Sequence, residues 1–301
     1  MHAQDLITRY LSPQPGAYLR MGSSLFVETP LYRAIKACHP VYINGAAYRR
    51  IFACHDTPSW DEMAQTLGVL FSTTIEPEHG TGEVLATAYV DRQSDPLDLS
   101  LSGNLGSGRA YYIGGQFNIK GERTPLATAK EKKFSDGFVE MERAIWETLV
   151  ANGLQGSITT GLNEVLAIID MNNTCNVGWR DHPVTRAKVI RLDDGCLDRV
   201  THLFHQPRAL SAKELHDVAR SYGQLEADKF CARVVHGTWS PGNISLAGHL
   251  IDFDTVCATK GRAPTYSSTR WYHQNRFGFE KGGQATILQA LAKDSHINAD
   301  K

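Results

Sequence analysis

Two side chains whose oxygen atoms can bind a metal ion, Asn243 and Asp252, lie nine residues apart in the segment HGTWSPGNISLAGHLIDFD. Apolar residues flank Ala247-Gly248 on both sides, which predicts a two-stranded hairpin with Asn243 and Asp252 at one end. An amide oxygen and a carboxylate are ligands that Mg²⁺ takes in proteins, with phosphates and water completing the shell. We therefore predict a Mg²⁺ site here, which Mn²⁺ could also fill. Asp254 is either a further ligand or a turn residue.

A glycine-rich turn and a lysine precede this segment in the chain. Gly106-Ser107-Gly108-Arg109 lies just before a predicted strand, where bare backbone amides can approach a phosphate. A plain hairpin turn explains the same glycines. Lys120 ends the next predicted strand and could neutralise nucleotide phosphates, although lysines at strand ends are commonly exposed.

A carboxylate on the following helix, predicted over 138–150, would position Lys120. The helix offers Glu140, Glu142 and Glu147. Helical spacing puts Glu142 on the more apolar face and turns Glu147 toward solvent. The apolar face is defined by Phe138, Ile145 and Leu149. We therefore predict Glu142 as the partner of Lys120; the alternative is that all three are surface acids.

Arginines form a further group of candidate phosphate ligands. Arg191 ends a predicted strand, where a guanidinium group can grip phosphate oxygens through two hydrogen bonds. Arginines also recur at 180, 186, 199 and 208, and for each of them a solvated surface position is the alternative.

The elements that must position these groups indicate an α+β protein. Strands are predicted at 84–90, 109–120, 164–170 and 188–192, and helices at 59–67, 138–150, 211–219 and 226–235. This order favours a kinase-like fold with two lobes. We predict an N-terminal lobe over 1–175, with the glycine turn, lysine and helix glutamate, and a mainly helical C-terminal lobe over 176–301, with the metal segment.

Composition narrows the class of protein. The chain has 301 residues, 42% of them hydrophobic, and a net charge of -1, which suggests neither a nucleic-acid surface nor a membrane surface. Its six cysteines form no metal-ligand spacing and are expected to be free thiols of a reducing compartment. Because no signal peptide or long apolar run is found, we expect a cytoplasmic protein.

With these residues in place, the chain resembles a short member of the selenoprotein O family, kinase-like proteins that transfer AMP. The resemblance covers most of the chain. It is carried by Thr29-Pro30-Leu31, Asn44, LGSGRA, Asn118-Ile119-Lys120-Gly121, Thr124-Pro125, Glu142, Ala151-Asn152-Gly153-Leu154, HGTWSPGNISLAGHLIDFD and the run from His273 to Phe279.

The resemblance implies an ATP- and Mg²⁺-dependent nucleotidyltransferase. The nucleotide would be inverted, with its γ-phosphate among Lys120, Arg191 and Arg199 and its α-phosphate presented to an acceptor hydroxyl. Asn243 and Asp252 would hold the metal. The family's two arginines are one residue closer together than 191 and 199, so the match of Arg199 assumes an insertion. The acceptor would be a protein or a small molecule.

The chain departs from that family at the expected base. Gly242 stands where the family has an Asp before the metal asparagine, and Thr238 stands where the similar HGDxxPGN loop of small-molecule kinases has one. The C-terminal cysteine or selenocysteine is also missing. Two alternatives therefore stay open: a small-molecule phosphotransferase that uses the same site, and a nucleotide-binding pseudoenzyme that acts as a scaffold.

Overall fold

The computed structural model of the chain describes residues 3–12, 26–91, 109–124, 137–176, 181–192, 198–204, 210–236, 241–253 and 256–258. These residues form a nine-stranded sheet of antiparallel strand pairs, a separate two-stranded pair and five α-helices. The predicted α+β class is confirmed.

The strands are β1 Phe26–Ala34, β2 His39–Ile43, β3 Thr73–Thr74, β4 Gly80–Asp91, β5 Ala110–Ile113, β6 Phe117–Lys120, β7 Val139–Glu140, β8 Val165–Cys175, β9 Val184–Leu192, β10 Val234–Val235 and β11 Cys257–Ala258. The helices are α1 Ala3–Leu11, α2 Gly45–Phe52, α3 Trp60–Phe71, α4 Met141–Gly153 and α5 Ala212–Ala232.

Strand order in the large sheet is β2-β8-β9-β6-β5-β4-β1-β3, and β7 pairs with β9. In the central pair, Asn118 on β6 lies opposite Arg191 on β9, and Lys120 lies opposite Val189. Because side chains alternate between the faces of a sheet, Asn118, Lys120 and Arg191 share one face. The predicted lobe boundary at 175/176 falls between β8 and β9, which pair with each other, so the sheet continues across it.

Each face of the sheet is covered by a hydrophobic core. Helices α1 to α3 pack on one face against residues such as Phe117 and Ile119. On the other face, α4, α5 and the hairpin residues pack against Val165 and Val189. The second core surrounds the face that carries Asn118, Lys120 and Arg191.

Helix α4 lies against the sheet through its small residues. Ala144, Thr148 and Ala151 are buried, which brings the helix backbone close to the strands. The larger Trp146 and Leu149 are 50% and 63% exposed. The helix begins at Met141 rather than at 138, because Val139–Glu140 pairs with β9 as β7.

Capping residues set the starts of two helices, close to the predicted starts at 59 and 211. Ser59 and Glu62 form a capping box before α3, and Ser211 and Glu214 form one before α5. The break predicted after residue 219 is wrong, since α5 continues as one helix to Ala232. The apolar contacts that carry it across the expected break come from the buried side chains of Tyr222 and Leu225.

Four cysteines within the described residues, Cys38, Cys54, Cys175 and Cys231, are free thiols. None of the helices in the ranges given above combines the length and the apolar character that a membrane span requires.

Candidate functional site

Lys120 is the centre of a buried charged cluster. Its side chain leaves the end of β6 on the α4 face of the sheet and is only 4% exposed. The ammonium group donates to Glu147 Oε2 at 2.8 Å and also to Asp252 Oδ1. Lys120 and Asp252, each selected from the sequence as a candidate site residue, are therefore in direct contact.

The helix carboxylate on Lys120 is Glu147, and the prediction of Glu142 for this role is wrong. Glu147 is fully buried under α4, whereas Glu142 lies on the exposed side of the helix. The face was assigned from Ile145 and Leu149, which are 44% and 63% exposed. The large apolar residues lie on the outer surface of α4, because the side that meets the sheet is formed by Ala144, Glu147, Thr148 and Ala151.

Arg191 forms the second cationic contact of Glu147. Its guanidinium donates to Glu147 Oε1 and, at 3.2 Å, to Asn118 Oδ1 from the neighbouring strand. A longer contact of 3.5 Å reaches Asp252 Oδ1. Glu147 thus bridges Lys120 and Arg191, one through each carboxylate oxygen. Such a bridge fixes the two cations beside each other although their charges repel.

The segment from Asn243 to Asp252 folds back on itself in the predicted hairpin, with one isolated bridge between Ile244 and Leu250 in place of two strands. Ile251 N donates to Asn243 O at 2.9 Å and Ser245 N donates to His249 O at 3.0 Å, which brings the two ends together. The buried ring of His236 donates from Nε2 to Ile251 O at 2.8 Å. The backbone just before Asp252 is therefore held from both sides.

Asp252 has a backbone conformation that is rare for a residue with a side chain. Its φ is 68°, in the left-handed region. Such a conformation costs on the order of 1–3 kcal/mol and is frequent at functional sites, where surrounding contacts impose it. Here it directs the carboxylate, 24% exposed, toward Lys120 and Arg191.

The charges of the cluster determine the protonation of its two carboxylates. Burial alone would raise the pKa of Asp252, but Lys120, Arg109 and Arg191 outweigh that effect and hold the pKa far below its usual value. Burial likewise opposes ionisation of Glu147, and Arg191 and Lys120 again lower its pKa. Both groups are carboxylates at neutral pH.

Arg199 contacts the loop next to the hairpin. Its Nε donates to the Tyr112 hydroxyl at 3.1 Å, and its Nη1 donates to Gly242 O at 2.9 Å. Its backbone N–H donates to His202 Nδ1, and His202 Nε2 in turn lies 3.2 Å from Asp91 Oδ1. Arg199 is thus held beside the position of the missing aspartate.

The cluster fits a metal ion with bound phosphate. Asp252 and Asn243 lie at the same end of the hairpin, and both described hydrogen bonds of Asp252 are accepted by Oδ1. A carboxylate and a side-chain amide offer the hard oxygen ligands that Mg²⁺ prefers. Two buried donors, Asn118 Nδ2 and Arg191 Nε, have no hydrogen-bond acceptor among the described residues. Donors left over beside a group of cations suit an anionic ligand.

Of the other residues selected from the sequence, Arg109 belongs to the cluster. It is buried, and its charge lowers the pKa of Asp252. Outside the described residues lie Gly106, Ser107, Gly108, Thr238 and Asp254. Sequence reasoning did not select Glu147, Asn118, Tyr112 or His202. For Asn118 the spacing to Lys120 on one strand would have placed both on the same face.

A second group of possible metal ligands lies elsewhere. Oxygen or nitrogen atoms of Glu76, Glu78 and His79 lie within 4.8 Å of one another. Glu76 also accepts from Arg186 and from the Arg123 backbone, so its charge already has partners. We assign no metal to this group.

Comparison of the chain with protein-family models and with the sequences of curated proteins finds no match. The similarity to the selenoprotein O family therefore rests on the motifs alone.

Proposed function

We propose that this protein is an ATP- and Mg²⁺-dependent nucleotidyltransferase that transfers AMP to an acceptor hydroxyl. The observation that carries the proposal is the buried Lys120–Glu147 pair facing Asp252. A strand lysine held by a helix glutamate opposite a metal-binding aspartate is the arrangement by which kinase-like enzymes hold nucleotide phosphates.

The charge of the cluster favours an anionic substrate. Lys120, Arg191 and Arg109 surround Asp252, and Glu147 is the second carboxylate among them, so the cations are in excess. Phosphate oxygens would accept from the lysine and from the guanidinium groups, whose planar donors match them well. Binding would draw Lys120 from Asp252 to phosphate and leave its bond to Glu147 in place.

Asp252 and Asn243 would hold the metal ion. When bound, Mg²⁺ neutralises phosphate charge and fixes the orientation of the phosphates. The hydrogen bonds of His236 and of the hairpin position Asp252 for this task. Arg199, through its contacts to Tyr112 and Gly242, would supply a further positive charge beside the reacting phosphate.

The absence of an aspartate at Gly242 is compatible with catalysis. Transfer at phosphorus proceeds through a loose transition state, in which positioning and charge stabilisation dominate. General-base assistance contributes about 10²- to 10⁴-fold. The reaction can therefore run slowly with the acceptor's own proton passing to solvent, or with a base supplied by the acceptor.

A kinase-like division into two lobes is part of the proposal. The sheet with α4 would form one lobe, and α5 with the hairpin would belong to the other. Because β8 and β9 pair with each other, the boundary would lie after β9 rather than at 175/176. The inverted nucleotide is an expectation from the family resemblance.

Transfer of label decides the reaction. The protein is incubated with Mg²⁺ and ATP labelled at the α- or the γ-phosphate, with protein and small-molecule hydroxyl acceptors. Transfer of α-label, lost in Lys120→Ala and Asp252→Ala and kept in Glu142→Gln, is the expected result. Transfer from γ alone refutes nucleotidyl transfer.

A small-molecule phosphotransferase is the second candidate. The observation that favours it is the SPGN sequence, whose Pro241–Asn243 part forms a 3₁₀ turn before the hairpin. It predicts γ-label on a small hydroxyl compound. A nucleotide-binding scaffold, motivated by Gly242, predicts ATP binding without transfer of either label.

A further inference from the structure

A second polar site lies on the opposite face of the sheet. Lys188 on β9 points away from the face of Arg191, because the two positions differ by an odd number of residues. Lys188 and Glu122 are both fully buried and 3.1 Å apart. They line a cavity of about 370 Å³. Its mouth is formed by the turn after β1 and by the end of β8, including Ile35, Lys36, Asn173 and Thr174.

Several buried polar atoms on the wall of this cavity have hydrogen-bonding capacity that the described residues do not fill. Arg186 Nε and Asn173 Oδ1 have no hydrogen-bond partner among them. Glu122 faces Lys188 Nζ at 3.1 Å and the Tyr111 hydroxyl, and Thr73 contacts the same hydroxyl, so the oxygens of both residues can still accept further hydrogen bonds. Thr73, Glu122 and Arg186 are each more than nine-tenths buried. A buried polar atom without a partner is costly, and native proteins leave few of them. Their concentration around one cavity indicates that a polar ligand completes them.

The inventory of these atoms specifies the ligand. Glu122, Thr73 and Asn173 offer acceptor oxygens, so the ligand must supply N–H or O–H donors. Arg186 Nε is a donor that needs an acceptor. The charges around the cavity do not cancel. Lys188 is paired with Glu122 and Arg186 is paired with Glu76, whereas Lys36 is a further cation on the cavity wall. This leaves an excess of positive charge for an anionic group.

We propose that the cavity binds a small carboxylic acid that also carries amino or hydroxyl donors. The carboxylate would accept from Arg186 and Lys36, and the donors would bind to Glu122, Thr73 and Asn173. Met171, Ala34 and Ile35 would contact its carbon skeleton. The volume is at the lower end of the range of natural small-molecule pockets.

This ligand is distinct from a nucleotide or its acceptor. An acceptor hydroxyl must reach a phosphate near Lys120, which lies across the sheet from the cavity. The two sites share strand β9 but no side chain. The proposal therefore stands whether or not the protein transfers AMP.

Calorimetric titration of the full chain tests the binding. The panel contains glycine, L-serine and L-glutamate as amino acids, glycolate, L-lactate and L-malate as hydroxy acids, and acetate as an acid without donors. We expect at least one amino or hydroxy acid to bind and acetate to bind at least about tenfold more weakly, since each unmade polar contact costs of the order of one such factor. The two groups of acids reveal which donor the site takes. Binding of none of them overturns the proposal.

Variants at two residues of the cavity wall separate ligand binding from structure. Asn173→Ala removes an oxygen that accepts from no described residue, so the unliganded protein should keep its thermal stability. Thr73→Val also loses the contact with the Tyr111 hydroxyl and should lower that stability. Affinity for the acid should fall about tenfold in each. Thr185→Val, which removes an exposed hydroxyl from β9, is the matched control and should bind normally. Unchanged affinity in Asn173→Ala, which lies at the mouth and does not affect the core, refutes the assignment.

Discussion

Glu147→Gln is the change that tests the charged cluster most directly. The substitution removes the negative charge that bridges Lys120 and Arg191 while keeping the size of the side chain. Two buried cations are then left with Asp252 alone. Removing one member of a buried ion pair costs about 3–5 kcal/mol of stability. Because Asp252 still contacts both cations, we expect a loss near the lower end of this range, at about 3 kcal/mol. That is a large share of the roughly 5–15 kcal/mol that stabilises a typical domain.

Lys120→Met and Glu142→Gln calibrate this loss. Lys120→Met leaves Glu147 and Asp252 in contact with Arg191, so it should destabilise less than Glu147→Gln. Glu142→Gln changes an exposed position and should stay within about 0.5 kcal/mol of the unmodified protein. Urea unfolding at neutral pH, followed by tryptophan fluorescence and by circular dichroism, measures all three. The two probes must give the same transition for the free energies to be compared.

The result that would refute the reasoning is a reversal of this order. If Glu142→Gln lost as much stability as Glu147→Gln, the other face of α4 would lie against Lys120. A neutral Glu147→Gln would show that the cations do not depend on this carboxylate.

Three further predictions concern pH, capping and catalysis. The pKa values of Glu147 and Asp252 are lowered in the folded protein. The stability that these two carboxylates contribute is therefore complete above their pKa values in the unfolded chain, about 4, and is lost as the pH falls below those values. Urea midpoints measured from pH 6 to pH 3 should fall less steeply in Glu147→Gln than in the unmodified protein. Ser211→Ala removes the capping box of α5 and should cost about 1 kcal/mol in the same unfolding assay. Gly242→Asp restores a carboxylate beside Asn243 and should raise the rate of α-label transfer; an unchanged or lower rate would contradict the family geometry.

The strands and caps were predictable because their signals are local. Ser59 with Glu62 and Ser211 with Glu214 specify helix starts within four residues of sequence, and both capping boxes form. The hairpin that joins Asn243 to Asp252 follows from two apolar runs around Ala247-Gly248, and its cross-strand hydrogen bonds form as expected. Such features depend on neighbours in sequence.

The orientation of α4 was not predictable from its apolar residues. A helix that packs closely on a sheet buries small residues, so Ala144 and Ala151 face inward, while Trp146 and Leu149 do not. The prediction of Glu142 depends on the stripe of Phe138, Ile145 and Leu149, and of these Ile145 and Leu149 are on the exposed side of the helix. Only the position of β6 and β9 shows that the cations meet Glu147.

The single helix α5 was missed for a related reason. Ser221 and Gly223 interrupt the helical pattern, and glycine costs about 1 kcal/mol in a helix interior. Burial of Tyr222 and Leu225 against the core offsets that cost. Tertiary contacts of this kind are absent from a local reading of the sequence.

The hairpin of Asp252 is joined to the chain that leaves α4. Asn163 N donates to Leu250 O, and Leu250 N donates to Gly161 O, so residues between α4 and β8 and the hairpin form one short ladder. Helix and hairpin carry the two carboxylates that face Lys120. Opening either one breaks contacts of the other, which makes them a single cooperative unit in local unfolding. Loss of the hairpin fold would therefore release Lys120 and loosen the end of α4 in the same event.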